Sequence, residues 1–131
     1  MRNTLRKSEI LRGYSVFSDI LKNGESVKAS VLQCYFKRRQ RKTNAPAVCA
    51  VFAVPRKNVA RAVDRNKVKR LLREAFRKNK ERFHTTITLN DVQLSVVIIF
   101  RNADRADVRR MSYSVIESAL NDAMSKIISR V

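Results

Sequence analysis

Apolar residues recur along this chain with two different periods, and the switches between them mark out its elements. From Ser8, a residue suited to capping a helix, Ile10, Leu11, Tyr14, Phe17, Ile20 and Leu21 return at helical spacing until Asn23-Gly24 stops the pattern. Val27 to Phe36 is rich in β-branched and aromatic residues and predicts a strand, with Lys37 to Asn44 as the exposed turn that follows. Ala47 to Val54 is almost continuously apolar, as in a strand covered on both faces, and Leu94 to Phe100 repeats that signature. Between these two runs lies a helical segment from Ala62 to Arg77, then a polar stretch around His84 to Asn90. Ser112 opens a last amphipathic helix with Val115, Ile116, Ala119, Leu120, Met124, Ile127 and Ile128 on its apolar side. The order helix, strands, helix, strand, helix predicts an α+β or α/β sandwich with a strand–helix–strand unit around the middle helix. With 131 residues, 44% of them hydrophobic, the chain can bury one core, and a single domain over residues 1–131 is expected.

The middle helix carries two opposed faces. Val68, Leu71, Leu72, Ala75 and Phe76 form one apolar stripe, while Asn66, Lys69, Arg70, Arg73, Arg77 and Lys80 gather on the largely opposite arc. Asp64 is placed to cap its start and to complement the positive end of the helix dipole. A stripe for the core and a cationic arc for solvent make an RNA-binding helix. Composition points the same way: 29 Lys+Arg against 11 Asp+Glu give a formal net charge of +18. The basic residues concentrate from Arg56 to Arg82 and in Lys37-Arg38-Arg39-Gln40-Arg41-Lys42. Such an excess repels itself and requires a polyanionic partner, of which nucleic acid is the commonest. The longest mostly apolar run, Ala45 to Val54, contains Pro46 and is closed by Pro55. It is far shorter than the roughly 20 residues of a membrane span. The charged start Met1 to Lys7 leads into no apolar signal region, so a cytoplasmic protein with no membrane partner is expected.

Catalytic chemistry has little foothold. Cys34 and Cys49 lie in strand-like apolar segments without C-x-x-C spacing and are expected to be buried free thiols. His84 is the single histidine, expected in an exposed loop, and Thr85 and Thr86 beside it offer no base–nucleophile pair. Asp104 and Asp107 lie among Arg105, Arg109 and Arg110, which favours surface ion pairs over a metal site.

The stretch from Ala62-Val63-Asp64-Arg65-Asn66-Lys67 through Phe76 closely resembles the signature of the bacterial ribonuclease P protein subunit, in which A-V-x-R-N and basic residues open the second helix. The likeness extends to Phe17 and Gly24 in and after the first helix, Tyr35 on a strand, Lys57 ahead of the motif, and Phe100-Arg101 at the end of an apolar strand. It implies a four-stranded sheet with three helices in the order α-β-β-β-α-β-α. It also implies a left-handed crossover, against the general right-handed preference. Functionally it implies a protein that binds ribonuclease P RNA and precursor tRNA and assists removal of the tRNA 5′ leader. The RNA performs the hydrolysis with Mg²⁺, and the protein itself holds no cofactor.

Carried over residue by residue, the resemblance assigns Arg65, Asn66, Lys67, Lys69, Arg70, Arg73 and Arg77 to the catalytic RNA, with Arg56, Lys57 and Arg61 upstream joining the same surface. Arginine suits this role because its planar fork grips phosphate in bidentate fashion and stacks on bases. A second site, the leader cleft, is assigned to Phe17, Leu21 and Tyr35, bordered by Lys69 and Arg73. Leu21 stands where many relatives carry an aromatic, and Ala60 where many carry a glycine; if that position needs a positive φ, alanine is strained. Two other classes share the basic helix: a ribosomal or other structural RNA-binding protein, and a DNA reader with the helix in the major groove. The second requires a helix-turn-helix or a dimer interface, and neither is evident in the chain.

Overall fold

The computed structural model describes residues 14–40, 48–89, 92–101 and 108–130. The expected cap at Ser8, the loop end near Asn44 and the Asp104 and Asp107 carboxylates lie outside these residues. The described chain runs α1 (Tyr14–Asn23), β1 (Glu25–Ala29), β2 (Leu32–Gln40), β3 (Val48–Ala53), α2 (Ala62–Leu89), β4 (Val92–Phe100), a 3-10 turn (Val108–Arg110) and α3 (Tyr113–Ile128). The strands form one mixed sheet in the order β1-β2-β4-β3. β4 is antiparallel to β2 and parallel to β3, and α2 makes the crossover between those parallel neighbours. This is the α+β, four-stranded, three-helix architecture expected above.

Strand alternation divides the sheet into two faces. Cys34 and Phe36 of β2, Val48 and Ala50 of β3, and Leu94, Val96, Ile98 and Phe100 of β4 point into a core shared with α2 and α3. Val68, Leu72, Ala75, Phe76, Phe83 and Ile87 complete it from α2, and Ile116, Ala119, Leu120, Ala123, Met124 and Ile127 from α3. The opposite face carries Tyr35 in register with Val97, and Val97 with Val51. There α1 packs on β2 and β4, with Ile20 fully buried. An ion pair of 2.7 Å between Lys37 of β2 and Asp19 of α1 fixes the helix to that face.

Several elements depart from the expectation. The single strand over Val27–Phe36 is a hairpin, broken at Ser30 and Val31. Ser30 has φ 52°, the positive φ at the first central position that a two-residue hairpin turn uses. Glycine or asparagine usually announces such a turn, and here neither does. β2 then continues through Lys37–Gln40, placed above in a turn, because this segment pairs with Val92–Ser95 of β4. α2 extends to Leu89, through the supposed polar stretch: Phe83 and Ile87 prolong its buried stripe. The Thr85 and Thr86 hydroxyls donate to the carbonyls of Glu81 and Arg82 one turn back, at 2.8 and 3.0 Å. Asp64 lies in the first turn of α2 rather than at its cap, where it still complements the dipole. Lys80 is buried, since it stands four residues after Phe76 and three before Phe83 and so lies beside the stripe. Ser112 does cap α3, its hydroxyl accepting from the Val115 N–H, whereas Val115 itself is 44% exposed and Ala123 takes the core position.

Gly24 is demanded by packing. A Cβ there would lie 2.5 Å from the Ile20 carbonyl oxygen and 2.7 Å from that of Phe36, both backbone atoms that cannot swing aside. Gly24→Ala is therefore expected to cost about 1–3 kcal/mol, read as a lower urea midpoint at unchanged m-value. Ser30→Gly, by removing the Cβ from a left-handed residue, is expected to raise stability by up to about 1 kcal/mol in the same experiment.

Candidate nucleic-acid interface

Pro55 ends β3 and starts a turn in which its carbonyl accepts from Asn58 and Val59 at 3.0 and 3.1 Å. The Asn58 amide donates to the Phe100 carbonyl at 2.7 Å, fastening the turn to the end of β4. Val59 is buried, and this anchoring leaves Arg56, Lys57 and Arg61 exposed. Ala60 has no positive φ, so the strain considered above does not arise.

Within the motif, the basic residues divide by azimuth. Arg65, three residues before buried Val68, turns back along the helix, and its guanidinium donates to the carbonyls of Ala60 at 2.7 Å and Val59 at 3.2 Å. Lys67 on the other flank donates to the carbonyls of Arg109 at 2.7 Å and Val108 at 3.5 Å. Asn66, Arg70 and Arg73 are exposed at spacings of four and three, with Lys69 and Arg77 half-buried beside them. Arg77 is bonded through two of its nitrogens to Glu74. That bond holds the Glu74 carboxyl below its usual range and raises the guanidinium pKa.

The C-terminal half of α2 uses its polar groups to hold α3. Lys78 lies 4.9 Å over the Tyr113 ring, and Asn79 and Arg82 donate to Glu117 and Asn121 at 3.1 and 2.7 Å. Tyr113 donates to the same Glu117 at 2.6 Å. Burial, then this hydrogen bond, pushes the phenol up to about 12. The bond also holds the Glu117 carboxyl low. His84 sits half-buried in α2, not in a loop.

The residues assigned to the leader cleft are split by the sheet. Phe17 lies in α1 one turn before Ile20, and Leu21 and Tyr35 are half-buried. The Tyr35 hydroxyl accepts from the Gln33 amide at 2.9 Å, which lays the phenol along the α1 face. Lys69 and Arg73 belong to α2, on the other face of the sheet from α1. Both cysteines are buried free thiols; burial on the α2 side raises the Cys34 thiol to about 12. Among the described residues no cluster of three or more His, Cys, Asp or Glu is arranged to hold a metal. No helix among them is long and apolar enough to cross a membrane.

Comparison with known proteins shows what this chain is similar to. A family model described as Ribonuclease P matches residues 5–128. The ribonuclease P protein component of Chlorobaculum tepidum is 32% identical over an alignment of 133 residues, covering 90% of this chain and 86% of the relative. That of Chlorobium phaeobacteroides is 34% identical over 105 residues, covering 75% and 72%. The solved RNase P protein from Thermotoga maritima superposes with a TM-score of 0.67 at 27% identity, covering 94% of this chain and 97% of that one. The Staphylococcus aureus RNase P protein reaches 0.69 at 21% identity, covering 92% and 96%, a likeness of fold.

The inward and outward groups separate by experiment. Arg65→Ala removes a charged donor from two carbonyls and is expected to lower stability by about 1.5–3 kcal/mol. Arg70→Ala is expected to stay within about 0.5 kcal/mol of wild type. Parallel urea titrations followed by circular dichroism check both.

Proposed function

The chain belongs to the ribonuclease P protein family, whose role is tRNA 5′ processing, and we propose that it performs this role by binding both the catalytic RNA and precursor tRNA. The observation that carries this reading is the exposed arc of Asn66, Arg70 and Arg73, flanked by Lys69 and continued upstream by Arg61, Arg56 and Lys57. From Asn66 to Arg77 the arc spans about 16 Å at 1.5 Å per residue, enough to engage several phosphates of a folded RNA. Each docked cation releases condensed counterions, so affinity falls steeply with salt. Arg65 and Lys67, assigned to the RNA by resemblance, also hold the surrounding loops.

Cations and an amide bind and orient phosphate, and at neutral pH they provide neither a nucleophile nor a general base. Hydrolysis in this reading belongs to the RNA and its Mg²⁺, and the protein holds no cofactor. The α1 face takes the 5′ leader, with Tyr35 and Phe17 stacking on unpaired bases and Leu21 adding apolar contact. Lys69 and Arg73 guide the strand round the β3 edge. The working location is the cytoplasm, where precursor tRNA is made.

The test is cleavage of a precursor tRNA by a bacterial ribonuclease P RNA at low Mg²⁺, with and without the protein. Wild-type protein is expected to restore correct 5′ processing, and Arg70→Ala/Arg73→Ala to need at least about ten-fold more protein for the same rate. If both proteins bind the RNA and neither changes cleavage, a ribosomal or other structural RNA-binding role replaces this reading.

A further inference from the structure

Resting on the RNA-binding reading above, we propose that Asn58 is a positioning residue for RNA binding. Its uncharged amide holds the loop 54–61, between β3 and α2, so that Arg56, Lys57 and Arg61 continue the cationic arc of the motif helix. The need for it begins with the backbone. Ala29 and Leu32 close the β1–β2 hairpin, which directs the Leu32 N–H and C=O toward β1, so Leu32 and Phe100 face each other without mutual hydrogen bonds. The Phe100 carbonyl therefore points away from β2, toward β3. Alternation agrees, since the N–H of the next residue, Arg101, turns back to the β2 side and donates to the Val31 carbonyl at 2.7 Å. β3 runs parallel to β4 with Ala53 opposite Ile99, and the next N–H of that ladder to meet the Phe100 carbonyl belongs to residue 55. That residue is Pro55, which has no N–H. Asn58 supplies the missing donor, its side-chain Nδ2 donating to the Phe100 carbonyl at 2.7 Å.

Proline thus turns the chain out of the sheet, and an amide three residues on ties it back to the same sheet. Within the loop the Pro55 carbonyl accepts from the N–H groups of Asn58 and Val59, and Val59 is buried. From the other side the Arg65 guanidinium holds the Val59 and Ala60 carbonyls. Residues 58–60 are pinned between the sheet and α2, and Arg56, Lys57 and Arg61 stand exposed on either side of the pinned stretch. Each phosphate contact these cations make then orders one side chain and not its backbone as well, which lowers the entropic cost of binding. Of the two clamps Asn58 is the uncharged one, so its removal takes no charge from the interface.

The experiment measures affinity for a bacterial ribonuclease P RNA over a KCl series, reading the slope of log K against log salt. Asn58→Ala changes no charge, yet it is expected to flatten the slope by about 0.7–1.8, the equivalent of one or two phosphate contacts, with about five-fold weaker binding. A merely structural role, in a chain still folded at the measuring temperature, leaves the slope where it was. In an Arg56→Gln/Lys57→Gln/Arg61→Gln background, Asn58→Ala is expected to flatten it no further. An unchanged slope for Asn58→Ala alone, or a flattening that persists in that background, refutes the positioning role. If the triple variant keeps the wild-type slope while Arg70→Gln flattens it, the loop makes no phosphate contact, and the proposal falls while the helix reading stands. If Arg70→Gln also leaves the slope unchanged, the RNA reading of the helix falls with it. Circular dichroism melts of each variant fix a temperature at which all are folded.

Discussion

The burial of one stripe of α2 against β3 and β4 holds a strongly self-repelling helix in place. α2 carries nine Lys and Arg against three Asp and Glu over its 28 residues, and a helix so charged has little reason to fold alone. Val68, Leu72, Ala75, Phe76, Phe83 and Ile87 remove it from that difficulty by leaving water almost completely. Each large side chain so buried contributes about 1.5–3 kcal/mol. The Phe76 ring meets Phe52 of β3 edge-on at 5.7 Å and Phe83 at 5.9 Å, so the stripe is also set in rotation. Rotation is what matters for function, because it alone decides which cations face the core's margins and which face solvent.

That fixed azimuth explains why a run of consecutive motif identities has more than one use. Arg65 lies near the buried side and turns to the preceding loop, Lys67 lies on the opposite flank and turns to the 3-10 turn, and Asn66 between them faces outward. Resemblance transfers the whole run to the RNA as a unit, since identity along a chain carries no azimuth. Helical periodicity does carry it, and projecting Arg65 from Val68 already places it at the margin. Lys80 was misplaced by the same projection applied without Phe83, whose membership in the stripe appears only once the helix is known to continue.

What the chain concealed follows a common physical cause: the deciding contact lies far away in sequence. The Ser30 turn has no glycine to mark it and is enforced by the β1–β2 and β2–β4 registers on either side. The threonines of α2 look like helix breakers until their hydroxyls are seen to bond backward and Phe83 and Ile87 to pack. The leader-cleft set could be gathered by resemblance but not assigned to faces, because faces follow from register, and register is fixed by pairing. Local signals, by contrast, were legible: the Ser112 cap, the buried character of β3 and β4, and the end of α1 at Asn23.

Using cations for internal bonds does not forfeit them for recognition, and the identity of the acceptor decides how much is kept. Arg65 and Lys67 donate to neutral carbonyls, so each retains its full positive charge while its geometry serves the fold. Arg77 is instead matched with the Glu74 carboxylate, and at distances beyond a Debye length of about 8–10 Å the pair counts as nearly neutral. The N-terminal half of α2 therefore projects a positive field stronger than its exposed residues alone would generate, and the C-terminal half a weaker one. A polyanion approaching this face is drawn toward the end of the helix where loop 58–61 and the 3-10 turn converge. Carbonyl-bound cations thus act twice, holding the loops around this face and adding to its positive potential.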